Sequence, residues 1–162
     1  LRTLEVKKLV EQGYTVFHTD LDIVFLKDPI PTLLAYLEDY DIAFQQDSKQ
    51  FCTGFYMTKP FPDCDKFFDY DFENYKHLHD QHHITWKLNP KLRSSGLSAY
   101  PRKPHNDLKV KALDRDLFPY GRWFYMNQDR VTDPYIVHYN WGQTKTVGAK
   151  IERMKKYGHW FI

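Results

Sequence analysis

Val16-Phe17-His18-Thr19-Asp20-Leu21-Asp22-Ile23-Val24-Phe25-Leu26-Lys27-Asp28-Pro29 is the stretch that decides how this chain is read. Two aspartates interrupt an otherwise apolar run whose valine, isoleucine and phenylalanine content predicts a buried strand. Burying a carboxylate without a partner is costly. Residues two apart on an extended chain face the same way, so Asp20 and Asp22 are expected on one side and Leu21 on the other. Two hard carboxylates held side by side suit Mg²⁺ or Mn²⁺. The stretch therefore predicts a divalent-cation site on a central strand, against the simpler alternative of a solvated strand end. Asp39/Asp41, Asp63/Asp65, Asp69/Asp71 and Asp114/Asp116 repeat the spacing among polar neighbours, where solvent-facing pairs are expected.

Outward from this run, the N-terminal side places Leu1, Leu4, Leu9 and Val10 at helical spacing before Gly13, a natural stop. A helix feeding directly into a buried strand is α/β grammar. His18 shares the register of the two aspartates and is read as packed or solvent-facing rather than as a third ligand. On the C-terminal side, Pro31 opens a short amphipathic helix carrying Leu33, Leu34 and Leu37. Strands follow at Ile42 to Phe44, with Gln45, Gln46 and Asp47 at the end, and at Phe51 to Thr58. Gly54 inside the latter predicts either a close approach of backbone or ligand or a simple bulge.

Residues 63–88 read as mostly helical, with Phe67, Phe68, Tyr70, Phe72 and Tyr75 as core. His79 and His83 share a helix face, a spacing compatible with zinc, but no Glu follows the first His, so both are read as structural or solvent-facing. Leu97 to Tyr100 and Val110 to Leu113 read as short strands, and Pro119 and Gly121 as loop. Tyr135 to Trp141 is a strand ending in polar and aromatic groups, and a basic helix runs from about Val147 to Tyr157. His138 on that strand, Lys145 in the loop and the helix N-terminus can supply an imidazole for a metal and donors for a phosphate. A core histidine and a solvated basic face are the bland alternative.

Composition narrows the classes. A chain of 162 residues is expected to form one domain with a sizeable core. A formal net charge of +2 implies no strong field, so neither nucleic acid nor an anionic membrane is expected as a partner. No apolar run approaches the roughly 18 residues that a membrane helix needs. The opening at Leu1, without Met, reads as a cut from something longer. Cys52 and Cys64 permit one disulfide without demanding it. No phosphate-loop or dinucleotide glycine fingerprint is present.

Carboxylates, imidazole and lysine together make a metal–diphosphate constellation suited to the departure of a nucleoside diphosphate. The run T-D-L-D-I-V-F-L-K-D-P resembles the metal-binding stretch of the nucleotide-diphospho-sugar transferases, including glycosyltransferase family 77. F-Q-Q-D (Phe44 to Asp47), C-T-G-F-Y-M (Cys52 to Met57), D-Q (Asp80, Gln81), L-F-P-Y-G (Leu117 to Gly121), V-H-Y-N-W and G-A-K-I-E-R-M-K-K-Y-G-H-W follow in the family's order.

The resemblance implies a GT-A, Rossmann-like mixed central sheet flanked by helices, over residues 1–162. It implies transfer of a sugar from a nucleotide-sugar donor, such as a UDP-sugar, to a glycan or glycoprotein acceptor, with retention of configuration. It also implies Mn²⁺ (or Mg²⁺) on Asp20, Asp22 and His138; donor contacts from Asp20, Gly148, Lys150 and Lys145; and Asp80, Gln81 and Asp47 facing the transferred sugar and acceptor. Family habit places the parent protein in the Golgi lumen, and puts one or two base-binding strands upstream of Leu1 that are missing here. The family's third strand usually carries an Asn between Cys and Thr-Gly, whereas Cys52 is followed directly by Thr53. Two other readings stand beside it: a non-catalytic sugar-binding or scaffold relative, suggested by the missing N-terminal strands and the Tyr and Trp content, and a metal-dependent phosphohydrolase.

Overall fold

The run from Val16 to Pro29 does not make one strand. In the computed structural model it is split into β1 (Val16–Thr19) and β2 (Ile23–Phe25), which belong to different sheets, with a turn over Asp20 to Asp22 between them. The expectation of a single buried strand is thereby corrected. The reason is pairing: β1 pairs antiparallel with β4 (Gln50–Thr58), and β2 pairs antiparallel with β6 (Ile136–His138). The chain crosses between sheets where the carboxylates lie, so neither aspartate side chain has to be buried in a ladder. Leu21, between them, is fully exposed, at 105%.

The structure describes residues 2–48, 50–69, 80–88, 107–142 and 146–161. The larger sheet has the order β1-β4-β3-β5 and is mixed. Its strand β3 (Ile42–Asp47) runs antiparallel to β4 and parallel to β5 (Val110–Ala112). Alternation along the strands gives the sheet two apolar faces. Ile42, Phe44 and Tyr56 pack with Val6 and Val10 of α1 (Arg2–Glu11), Phe67 and Phe68 of α3 (Cys64–Phe68) and Ile84 of α4 (Asp80–Leu88). Ala43, Phe55 and Met57 pack on the other side with Leu33 and Leu37 of α2 (Ile30–Asp39), and with Ile23 and Ile136 of the small sheet. A mixed sheet flanked by helices is the architecture that the sequence predicts.

Several local expectations change. The buried stripe of α1 is Thr3, Val6 and Val10, while Leu9 is exposed. Pro119 lies in a loop as expected, but Gly121 does not: it begins the short helix α5 (Gly121–Met126). The C-terminal basic helix, α6 (Val147–Lys156), starts at Thr146, whose Oγ1 accepts from the Ala149 amide at 3.3 Å. Cys52 and Cys64 form no disulfide. Tyr70, Phe72, Tyr75, His79, the strand expected at Leu97 to Tyr100, and Lys145 lie outside the described residues. His83 is buried on α4. Among the described residues no helix is long and apolar enough to cross a membrane.

One buried cation belongs to the scaffold. Lys87 of α4 is 2% exposed, and its Nζ donates to the carbonyls of Phe67 at 2.6 Å, Asp69 at 3.2 Å and Lys66. These are the orphan carbonyls at the end of α3, satisfied by a side chain from a neighbouring helix. Lys87→Met keeps the apolar stem and removes the donors. It is expected to cost about 1–3 kcal/mol, because buried acceptors lose their partner. In a thermal melt this is a fall of roughly 3–10 °C; an unchanged midpoint contradicts the capping role.

Candidate metal and donor site

The turn from Asp20 to Asp22 is held from two sides. The Asp20 amide donates to the Gly54 carbonyl at 2.7 Å, and the Tyr139 amide donates to the Asp22 carbonyl at 2.8 Å. The antiparallel register then sets Ile23 opposite His138. An imidazole far along the chain is thus delivered beside the second aspartate by strand pairing alone. His138 is buried, and its Nε2 lies 3.2 Å from Asp22 Oδ1. Ligand atoms of Asp20, Asp22 and His138 lie within 4.8 Å of one another, the one such cluster found among the described residues.

Gly54 forms the floor. A β-carbon there would stand 2.8 Å from His138 Cε1 and closer still to the Asp20 carboxylate, so the backbone of β4 makes the close approach that the sequence allowed. His18 packs on Tyr56, with ring centroids 5.1 Å apart, and its Nε2 is 3.8 Å from Asp20 Oδ1. It borders the cluster without joining it.

Lys150 of α6 donates to Asp22 Oδ2 at 2.5 Å. Burial alone would raise the Asp22 pKa. The hydrogen bonds and positive charge of His138 and Lys150 outweigh it and hold the carboxyl well below the usual carboxylate range. Asp22 is therefore a permanent anion at neutral pH. Two carboxylates and one imidazole nitrogen form a mixed oxygen–nitrogen donor set of the kind Mn²⁺ accepts. The residues present fit a divalent cation.

A second group gathers along the ends of β3 and β6. Asp47 closes β3 and is hydrogen-bonded by the Gln81 side chain; burial pushes its carboxyl up, opposed by Gln81 and by the charges of His138 and Arg115. Asn140 Nδ2 approaches Asp47 Oδ2 at 3.4 Å. Asp80, at the start of α4, accepts from Thr53 Oγ1 at 3.1 Å and from the Gln81 amide at 2.8 Å. Gln81 thus links Asp47 and Asp80. Gly148 sits in the first turn of α6 facing open space, and nothing lies within 4 Å of a β-carbon placed there.

Beside the Asp20–Asp22 turn opens a cleft of about 780 Å³, whose lining includes Asp22, Lys150, Leu21, Val147, Met154 and Trp160. Sequence reasoning assigned no role to Gln45 or Asn140. Asn140 was within reach of it, since a residue two beyond His138 on a strand shares its side. Gln45 was not.

The sequence profile of the nucleotide-diphospho-sugar transferases matches residues 1–154. A UDP-galactose:fucoside alpha-3-galactosyltransferase from Dictyostelium discoideum is 27% identical to the chain over 183 aligned residues. The alignment takes in 99% of this chain and 27% of that protein, so the chain spans about a quarter of its relative's length. No solved structure matches significantly. The matched residues take in both halves of the site, from the turn carrying Asp20 and Asp22 to Lys150, and the chain belongs to the nucleotide-diphospho-sugar transferase family.

Proposed function

We propose that the chain carries the catalytic site of a metal-dependent glycosyltransferase that moves a sugar from a UDP-sugar to an acceptor hydroxyl on a glycan or glycoprotein, with retention at the anomeric carbon. One observation carries the proposal. Asp20 and Asp22 on the turn and His138 on a strand more than a hundred residues later converge to within 4.8 Å, and the chain belongs to a sugar-transferase family. Asp20, Asp22 and His138 would hold Mn²⁺ or Mg²⁺. Such a cation, when bound, supplies Lewis-acid stabilisation of the diphosphate leaving group.

The remaining work belongs to the chain's own groups. Lys150 stands on Asp22 in the lining of the cleft, where its ammonium can neutralise phosphate oxygens. Gly148, having no side chain, leaves the first turn of α6 open to the same phosphates. Asp47, with Gln81 and Asn140 fixing its orientation, offers a carboxylate to sugar hydroxyls, and Asp80 is held beside it by Thr53. Burial of Tyr56, Tyr139, Phe44 and Phe55 weighs against the sugar-binding alternative, whereas Trp141 and Tyr14 are exposed.

UDP-galactose, the donor in the name of the Dictyostelium relative, is the first donor to test. UDP release is expected only with added Mn²⁺ or Mg²⁺ and is abolished by chelation. Asp47→Asn is expected to keep metal-dependent UDP binding by calorimetry while losing about 10²-fold or more in transfer, the scale of a positioned catalytic group. Equal turnover with and without chelator overturns the metal assignment, and phosphate release from simple esters favours the hydrolase. The anomeric proton coupling of the first-formed product reads the stereochemistry.

A further inference from the structure

We infer that Gln45 is a positioning residue that fixes which ring nitrogen of His138 faces the cation site. Gln45 is completely buried, and its two amide atoms have separate partners. Its Nε2 donates to the Phe118 carbonyl at 3.1 Å, and its Oε1 lies 2.7 Å from His138 Nδ1. A carbonyl oxygen can only accept, so Phe118 dictates which end of the amide is nitrogen. The opposite end is then oxygen, and it requires a proton on His138 Nδ1. Nε2 is the atom left to face Asp22, donating to the carboxylate when protonated and offering its lone pair to a cation when not. Cys52 Sγ, 3.6 Å from the same Nδ1, is too weak an acceptor to decide the matter.

The fold is built to make this contact. The pairing of β3 with β4 slips between Phe44 and Gln45, so that Gln45 stands opposite Cys52 beneath the ring. The segment supplying the Phe118 carbonyl also holds the His138 backbone: the His138 amide donates to the Pro119 carbonyl at 3.1 Å, and Tyr120 bridges to His138 in parallel. Residues 118–120 thus fix the strand directly and the ring through Gln45.

The inference rests on the cation assignment above, and its test separates the two. In ¹⁵N-histidine spectra of the wild-type chain, Nδ1 of His138 is expected to stay protonated on addition of diamagnetic Cd²⁺, while the Nε2 resonance moves. Gln45→Met, of similar length and without the acceptor, is expected to weaken Mn²⁺ binding about 10–100-fold by calorimetry, as loss of a supporting partner does. Asp22→Asn serves as the control. Binding lost in Asp22→Asn but unchanged in Gln45→Met, or a Cd²⁺ shift on Nδ1, overturns the role of Gln45 alone. No Mn²⁺ binding by the wild-type chain removes the cation assignment and this role with it. The wild-type spectrum needs no substitution, so a misfolded Gln45→Met still leaves a decisive measurement.

Discussion

Asp22→Asn is expected to lose cation binding and sugar transfer while leaving the fold in place. Asp22 is the hub of the site. One carboxylate oxygen meets His138 at 3.2 Å and the other meets Lys150 at 2.5 Å. An amide has the same shape but no charge, and its NH₂ must face either an ammonium or an imidazole nitrogen. Mn²⁺ affinity should fall by more than about 100-fold, beyond what a supporting partner costs. Transfer should fall by about 10³-fold or more, the range seen when charge stabilisation at a leaving oxygen is removed. The melting midpoint should fall, because His138 and Lys150 lose the charge that they stabilise, but the fold should persist, since the Asp22 carbonyl still accepts from the Tyr139 amide. Calorimetry with Mn²⁺, a UDP-release assay and a thermal melt on the one variant separate these effects. An Asn variant with wild-type Mn²⁺ affinity would mean that the cluster is a structural ion pair.

How far the sequence could go is set by what is local. The apolar residues flanking Asp20 and Asp22 mark burial, and their spacing marks two carboxylates acting together; both survive in the structure. The break between β1 and β2 could not be read there, because it arises from two different partners, β4 and β6, lying far along the chain. His138 could be suspected as a ligand, but only the pairing of Ile23 with His138 delivers it to Asp22. Gln45 is less legible still. It has an identical neighbour, Gln46, and nothing in F-Q-Q-D tells which of the two turns inward. The irregular register after Phe44 chooses Gln45, and that is a property of two strands together. Helix α5 was hidden for a different reason. A six-residue helix opening on glycine, just past a proline, offers too little periodicity to outweigh its turn signals.

Gly54 gives the second large effect, and its argument is steric. A β-carbon there would stand 2.8 Å from His138 Cε1, nearer than real contacts come, and nearer still to the Asp20 carboxylate. Something must move. The backbone cannot withdraw easily, because the Gly54 carbonyl accepts from the Asp20 amide at 2.7 Å inside a paired strand. The His138 ring is held by Gln45 and by its own strand. The most exposed of the three is the Asp20 carboxylate, whose side chain is 32% exposed and would rotate outward, taking a ligand atom with it. Gly54→Ala is therefore expected to cost about 1–3 kcal/mol in stability, as overpacking does. It should also weaken Mn²⁺ binding by at least about 10-fold, because a ligand atom is displaced. Gly148→Ala is the matched control: with open space around it in a helix, it should hold or raise stability by up to about 1 kcal/mol. Its Mn²⁺ affinity should be that of the wild type, while binding of UDP falls if the first turn of α6 receives the diphosphate. Melts and Mn²⁺ titrations on the two alanine variants decide the point. If Gly54→Ala bound Mn²⁺ as the wild type does, Asp20 could not be sharing the cation with Asp22 and His138, since the added methyl occupies the space its carboxylate needs.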